Sequence, residues 1–161
     1  MAMPNCERLL NCETKHIAII ADKSLPLEKV GDLLQGGERY LIKTGKKEIV
    51  IDWIIRKDVF KELFAAALKE SVKINDVPVL TPEWLVILKF IAGRFKDQED
   101  AVFLLSRNGL VNRNLIKEHI IKTAGAIAWG LAKLGLQRWF DLADGRTREE
   151  QRNEKEGYID S

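Results

Sequence analysis

The run Glu48–Ile55 (EIVIDWII) constrains this chain most. It is apolar on both faces of any strand it forms, with Asp52 the one exception, and a strand of that kind is central and covered on both sides. A partner lies just upstream, where Glu38–Lys43 also reads as strand and Thr44-Gly45-Lys46-Lys47 as the turn of a β-hairpin. His16–Ala21 (HIAIIA), short and β-branched, is consistent with a buried strand. Between these, Ser24-Leu25-Pro26 offers an N-cap and an early proline. The spacing of Leu27, Val30, Leu33 and Leu34 then predicts a helix that Gly36-Gly37 stops.

The second half of the chain turns helical. Periodicity predicts a helix over about Lys57–Glu70, with Val59, Phe60, Leu63, Phe64 and Leu68 as its buried stripe. Lys73–Leu80 (KINDVPVL) reads as a short strand pair or an extended edge, since Pro78 has no N–H to give to a ladder. Thr81-Pro82-Glu83 is a strong helix start: a capping hydroxyl, a proline at the first position and an acid in the first turn. That helix runs through Trp84–Ala92 and weakens at Gly93. Asp97 and Asp100 offer caps for a second one reaching Leu105, which Arg107-Asn108-Gly109 closes. A last helical region, about Arg113–Leu142, carries Leu115, Ile116, Ile120, Ile127, Leu131 and Leu134. Gly125, Gly130 and Gly135 predict that it is bent or split. Trp129 and Trp139 read as packing residues, or as part of a dimer or partner surface, and His119 carries no assigned role.

These elements predict an α+β (mixed α/β) fold: a small mixed β-sheet with helices, and a helical C-terminal half. The expected segments are an N-terminal stretch 1–13, an α/β core 14–106, a helical region 107–144 and a polar tail 145–161. A length of 161 residues allows one domain with a real core. The net charge of +2 gives no general argument for nucleic acid or an anionic membrane. No apolar run approaches the roughly 20 residues of a spanning helix, so no membrane partner is expected. Met1–Leu10 lacks the basic start and apolar core of a secretory signal. Cys6 and Cys12 make neither a disulfide framework nor a four-ligand zinc site. A cytoplasmic location is the expectation. Phosphate-loop, dinucleotide, zinc-protease and nucleophile-elbow motifs are all missing from the sequence.

One block of residues has a familiar order. Val77–Leu105 (VPVLTPEWLVILKFIAGRFKDQEDAVFLL) places an extended v-x-v before a helix with Lys89. The turn Ala92-Gly93-Arg94 follows, then Lys96-Asp97, and Asp100 three residues on. It resembles a signature of small bacterial and archaeal nucleotidyltransferase-superfamily proteins, among them the nucleotidyltransferase toxins of toxin–antitoxin and abortive-infection systems. Upstream, IVIDWIIRKDVFKELFAAA is similar to the family's preceding block, a carboxylate on a strand followed by a helix, with Asp52 at the carboxylate position. The two blocks cover Ile49–Leu105, about a third of the chain.

The resemblance implies an active site with three parts. A Gly-Ser pair at a helix N-terminus cradles the triphosphate, an Asp-x-Asp strand binds metal ions, and a third carboxylate comes from a neighbouring strand. Two divalent ions need several hard anionic oxygens if they are to stabilise both attacking and leaving oxygens. In the register of the resemblance the Asp-x-Asp strand falls on Thr14-Lys15-His16-Ile17-Ala18, where the family commonly reads Thr-x-Asp-Ile-Asp. His16 and Ala18 then stand at the two aspartate positions; imidazole is a poor magnesium ligand and alanine is none. Asp52 remains as the third carboxylate and the one candidate metal ligand. Met1–Leu10 holds no Gly-Ser motif, as in a chain that starts late relative to such relatives. A second register makes Gly36-Gly37 the phosphate cradle and Asp52 the first metal ligand. Against it, Glu38–Lys43 reads as strand where the family has helix, and Trp53-Ile54 follows Asp52 where x-Asp belongs.

Lys89, Arg94, Lys96 and Asp97 are accordingly candidates for nucleotide contact. The competing structural reading pairs Lys89 with Asp52 or Asp97, Asp52 with a nearby Lys or Arg, and makes the rest a charged helix start. The expectation is an N-terminally shortened, catalytically degenerate nucleotidyltransferase-like domain that needs no cofactor. It binds a nucleotide, RNA or a protein, the last an antitoxin-like partner or a second copy. Two alternatives stand beside it. One is a live enzyme that uses Mg2+ and an NTP to transfer NMP to RNA or protein, with Asp52 helped by Asp22, Asp97 or a dimeric site. The other is a pure protein-interaction module.

Overall fold

The computed structural model describes residues 16–21, 23–34, 36–44 and 47–146, and its fold is α+β. The chain divides into two compact units, Met1–Asp58 and Val59–Ser161. Cys6, Cys12, Asp22, the tip of the expected hairpin turn at Gly45-Lys46 and the tail beyond 146 lie outside the described residues.

The first unit is a four-stranded mixed sheet of β1 (His16–Ile20), β2 (Gly31–Asp32), β3 (Gly37–Thr44) and β4 (Lys47–Ile54), in the order β1-β4-β3-β2. The doubly apolar strand β4 lies inside the sheet, with β3 antiparallel on one side and β1 parallel on the other. Side chains alternate along each strand, so Ala18, Asp52 and Arg39, which are partners in register, share one face. Tyr40 and Ile51, also partners, share the other and are buried there. Among the described residues β1 is an edge strand with Ala18 exposed, not the buried strand that its sequence suggested.

The helix expected over Leu27–Leu34 does not form. That stretch runs through bends into β2, and Leu27, Val30 and Leu34 are exposed. Bonds to β3 and β4 explain the outcome. Trp53 Nε1 donates to the Lys23 carbonyl at 2.7 Å, and Leu25 N–H donates to the Tyr40 hydroxyl at 3.2 Å. Val30 N–H donates to the Arg39 carbonyl at 2.8 Å and Leu33 N–H to the Gly37 carbonyl at 3.0 Å. A short helix, weakened further by Gly31, makes no better use of these groups. Gly37 opens β3 at φ 123°, where a Cβ would stand 2.2 Å from the Trp53 carbonyl oxygen, so no other residue fits.

The second unit holds α1 (Lys61–Lys69), a hairpin of β5 (Val72–Ile74) and β6 (Val77–Val79), then α2 (Pro82–Ala92), α3 (Phe95–Leu105) and α4 (Arg113–Ala143). α1 buries Leu63, Phe64 and Ala67 but begins later than expected, leaving Val59 exposed ahead of it. The hairpin turns on Asn75 and Asp76, both at positive φ, the geometry of a type I′ turn. Thr81 caps α2 by accepting from Trp84 N–H at 3.5 Å, as its sequence signature predicts. Arg94 occupies the N-cap of α3 without a side-chain cap bond, so Asp97 and Asp100 are not caps. α2, α3 and α4 close over Trp84, Val86, Ile87, Ala101, Ile116 and Leu136. No helix among the described residues is long and apolar enough to cross a membrane.

In α4 the sequence pattern and the structure part company. On a straight helix, at about 100° per residue, Ile116, Ile120, Ile127, Leu131 and Leu134 form one stripe. Gly125 interrupts the helix with φ 87° and ψ 169°, a combination open essentially to glycine alone. The segment beyond it therefore enters at a new angle. It buries Leu136, Trp139 and Phe140 and leaves Ile127, Leu131 and Leu134 exposed, the reverse of the expected burial. The bend anticipated from three glycines falls on Gly125, while Gly130 and Gly135 stay helical.

Candidate functional site

Asp52 stands in the middle of β4, flanked by Ala18 on β1 and Arg39 on β3. Its two carboxylate oxygens accept from Arg39, Nε to Oδ1 at 2.7 Å and Nη2 to Oδ2 at 3.1 Å. That is the two-pronged geometry in which guanidinium and carboxylate match best. The hydrogen bonds that Arg39 donates to Asp52, and then the Asp52 charge, lift the Arg39 pKa above its ordinary value. Asp52 is only 9% exposed, so a facing cation is what its burial calls for. Of the partners the sequence offered it, Lys89 or a nearby Lys or Arg, a nearby arginine is the one found. Ala18 adds a methyl group and no ligand atom. His16 pairs with Val50 in backbone register, and the placement of its side chain is outside the described part.

A magnesium pair needs several oxygen ligands. Among the described residues no three His, Cys, Asp or Glu side chains come together in that way. The one carboxylate at the expected place faces a guanidinium. The described donor set therefore does not fit a two-metal centre. In the second register Gly36-Gly37 leads into strand β3, and no helix N-terminus follows it to hold a triphosphate.

The signature residues lie in the second unit. Lys89 Nζ sits 2.7 Å from Asp100 Oδ2 and 3.5 Å from Asp97 Oδ1. Arg94 donates to the same Asp97 through Nε at 2.6 Å and Nη2 at 3.1 Å. Burial pushes the Asp97 carboxyl up, but Arg94 and then Lys89 outweigh it and hold the group below the usual carboxylate range. This cluster ties the end of α2 to the first turns of α3 across the break at Gly93. Lys89 and Asp52 belong to different units, and each has a partner within its own. Lys96 is exposed.

A second polar cluster escaped the sequence reading. Glu70, just after α1, accepts from Trp84 Nε1 at 3.0 Å and from Lys122 Nζ at 2.8 Å, and lies 3.1 Å from His119 Nδ1. The His119 ring stacks on Trp84 with centroids 4.6 Å apart. The hydrogen bond from Lys122, followed by that from Trp84, holds the Glu70 carboxyl below its usual range. The one sequence signal was the spacing of His119 and Lys122, which puts both on one side of α4.

The two polar clusters of the second unit act as helix–helix ties, and the sheet carboxylate at the position of interest, Asp52, is engaged by Arg39. Comparison with known proteins adds no relative: no family model, no curated protein and no solved structure matches the chain.

Proposed function

We propose that the chain is a nucleotidyltransferase-like domain that has lost catalysis and acts by binding a partner. The reading is supported by one juxtaposition, Ala18 and Arg39 on either side of Asp52. A transferase of this type needs a carboxylate at Asp52 that is open to metal and stands beside two more. Here a methyl group occupies one neighbouring position, and a cation that repels divalent metal occupies the other. Among the roles that remain, the exposed aliphatic side chains of the second unit favour a protein partner over a nucleotide.

The test is nucleotide transfer. The purified chain is incubated with each labelled NTP, Mg2+ or Mn2+, and total RNA or cellular protein as acceptor. No label is expected to transfer. Incorporation that disappears in Asp52→Ala overturns the reading and makes the chain a live enzyme. The same exposed side chains also suit a protein-interaction module with no history of nucleotide chemistry. Calorimetric titration with ATP or CTP separates the two: weak binding at millimolar nucleotide supports the degenerate domain, and no binding supports the module.

A further inference from the structure

The two edges of the sheet differ. At one end β2 is two residues long and carries Asp32, paired with Lys29 at 2.9 Å. A short, charged strand is how a sheet blunts an edge. At the other end β1 (HIAII) holds no Asp, Glu, Lys, Arg or Pro. Ala21 N–H donates to the Ile54 carbonyl at 2.9 Å, and in a parallel ladder alternate residues turn both backbone groups to the same neighbour. Ile17, Ile19 and Ala21 therefore bond to β4, and the N–H and C=O groups of His16, Ala18 and Ile20 point away from it. Among the described residues no strand lies beyond β1, and no hydrogen bond reaches those outer groups. Ala18, in the middle, is exposed and small. The unit that carries this edge has little core to hold it: Tyr40 and Ile51 are its buried apolar side chains among the described residues.

We propose that β1 pairs antiparallel with β1 of a second copy, about a two-fold axis beside Ala18, and joins the two sheets edge to edge. Ala18 then opposes Ala18 of the second copy, and His16 opposes Ile20 of the second copy. Each such pair exchanges both N–H···O bonds, so the outer groups of both strands are satisfied at once. The make-up of β1 selects this occupant. Two-fold pairing sets the central residue of a strand against itself, where a charge meets its like and is destabilising. β1 has no charge to repeat and an alanine on the axis. A strand of another protein must bring an unpaired edge of its own, whereas a second copy brings one by construction. The proposal rests on the sheet edge alone and holds whether or not the chain transfers nucleotides.

Sedimentation velocity of the full chain, over a wide range of concentration, is expected to show a reversible monomer–dimer equilibrium. Ala18→Pro removes the N–H of Ala18 from both copies and leaves the bonds to β4 in place. It should weaken the dimer at least about tenfold, with a circular-dichroism spectrum that matches the parent. Ala18→Lys and Ala18→Glu keep the N–H and carry the test if the proline variant does not fold. Each sets like charges across the axis and is expected to be monomeric, and mixing the two restores a dimer with one copy of each. A full chain that stays monomeric, a dimer that the proline and lysine variants leave unchanged, or a mixture that associates no better than its parts overturns the proposal. A dimer that forms only when residues 1–13 are deleted gives the edge to the N-terminal segment instead.

Discussion

Glu70 accepts from donors on two other helices, and those donors are unequal. Lys122 is largely exposed, and a surface pair of this kind contributes roughly 0 to 1 kcal/mol. Trp84 is fully buried, and leaving its indole N–H without an acceptor costs about 1 to 3 kcal/mol. Glu70→Ala is therefore expected to lose about that larger amount in urea denaturation, and Glu70→Gln less, because an amide oxygen still accepts from the indole. The pH dependence has a definite sign. A carboxylate held low in the folded state contributes stability above its unfolded pKa and loses it as pH falls through the folded value. The advantage of the parent over Glu70→Gln should thus be complete near neutrality and shrink below about pH 4. Asp52 offers a second residue-scale test, aimed at the proposed loss of catalysis. Ala18→Asp combined with Arg39→Ser exchanges the methyl group for a second carboxylate and removes the guanidinium from the first. Millimolar Mn2+ should raise the melting temperature of that double variant and leave the parent unmoved. A parent that responds equally shows that Asp52 is already open to metal.

α4 shows how one backbone position redirects an entire element. Its first segment buries Ile116 and Ile120, and its second buries Leu136, Trp139 and Phe140. Those two sets lie on nearly opposite sides of a straight helix, so the break at Gly125 is what lets both face inward. A Cβ at Gly125 meets no atom within 4 Å, so the obstacle to substitution is the backbone conformation and not crowding. Gly125→Ala should cost about 1 to 3 kcal/mol in chemical denaturation. A neutral result indicates that the helix straightens at no cost. Elements governed by local rules were legible in advance: the Thr81-Pro82 start, the β3–β4 hairpin and the β5–β6 pair each follow from turn or cap chemistry within a few residues. The stretch around Leu27 and the second half of α4 were not. Their helical patterns are present, but Val30 and Leu33 are claimed by β3, and the α4 stripe is turned outward by a single glycine.

At the scale of the molecule, the mixed α+β character was written in the sequence, and so was the central place of β4; for Lys89 the sequence left Asp52 and Asp97 open and did not point to Asp100, its nearest acid. The partners of Asp52 and Glu70 were not written there, because Arg39, Trp84 and Lys122 reach them through strand register and helix packing that no local spacing encodes. Nor was the division of the chain between residues 58 and 59. Its energetic content is an uneven core. Among the described residues the first unit buries only Tyr40 and Ile51 as apolar side chains, and the second buries every other member of the core. A sheet unit of this size with so little buried is marginal by area alone. The second unit also caps two of its four helix starts from within: Thr81 caps α2, Asn112 caps α4, and Glu83 accepts from the Asn112 N–H at 2.9 Å. Glu70 and Lys89 find their partners inside it as well. Residues 59–146 expressed alone are therefore expected to keep a helical circular-dichroism spectrum and to melt cooperatively, with amide protons in α2 and the first segment of α4 the slowest to exchange. Residues 16–58 alone should show neither a cooperative transition nor protected amides. A 59–146 fragment that is helical but melts without cooperativity shows that its core is completed by the first unit, and the uneven burial is then no guide to where stability resides.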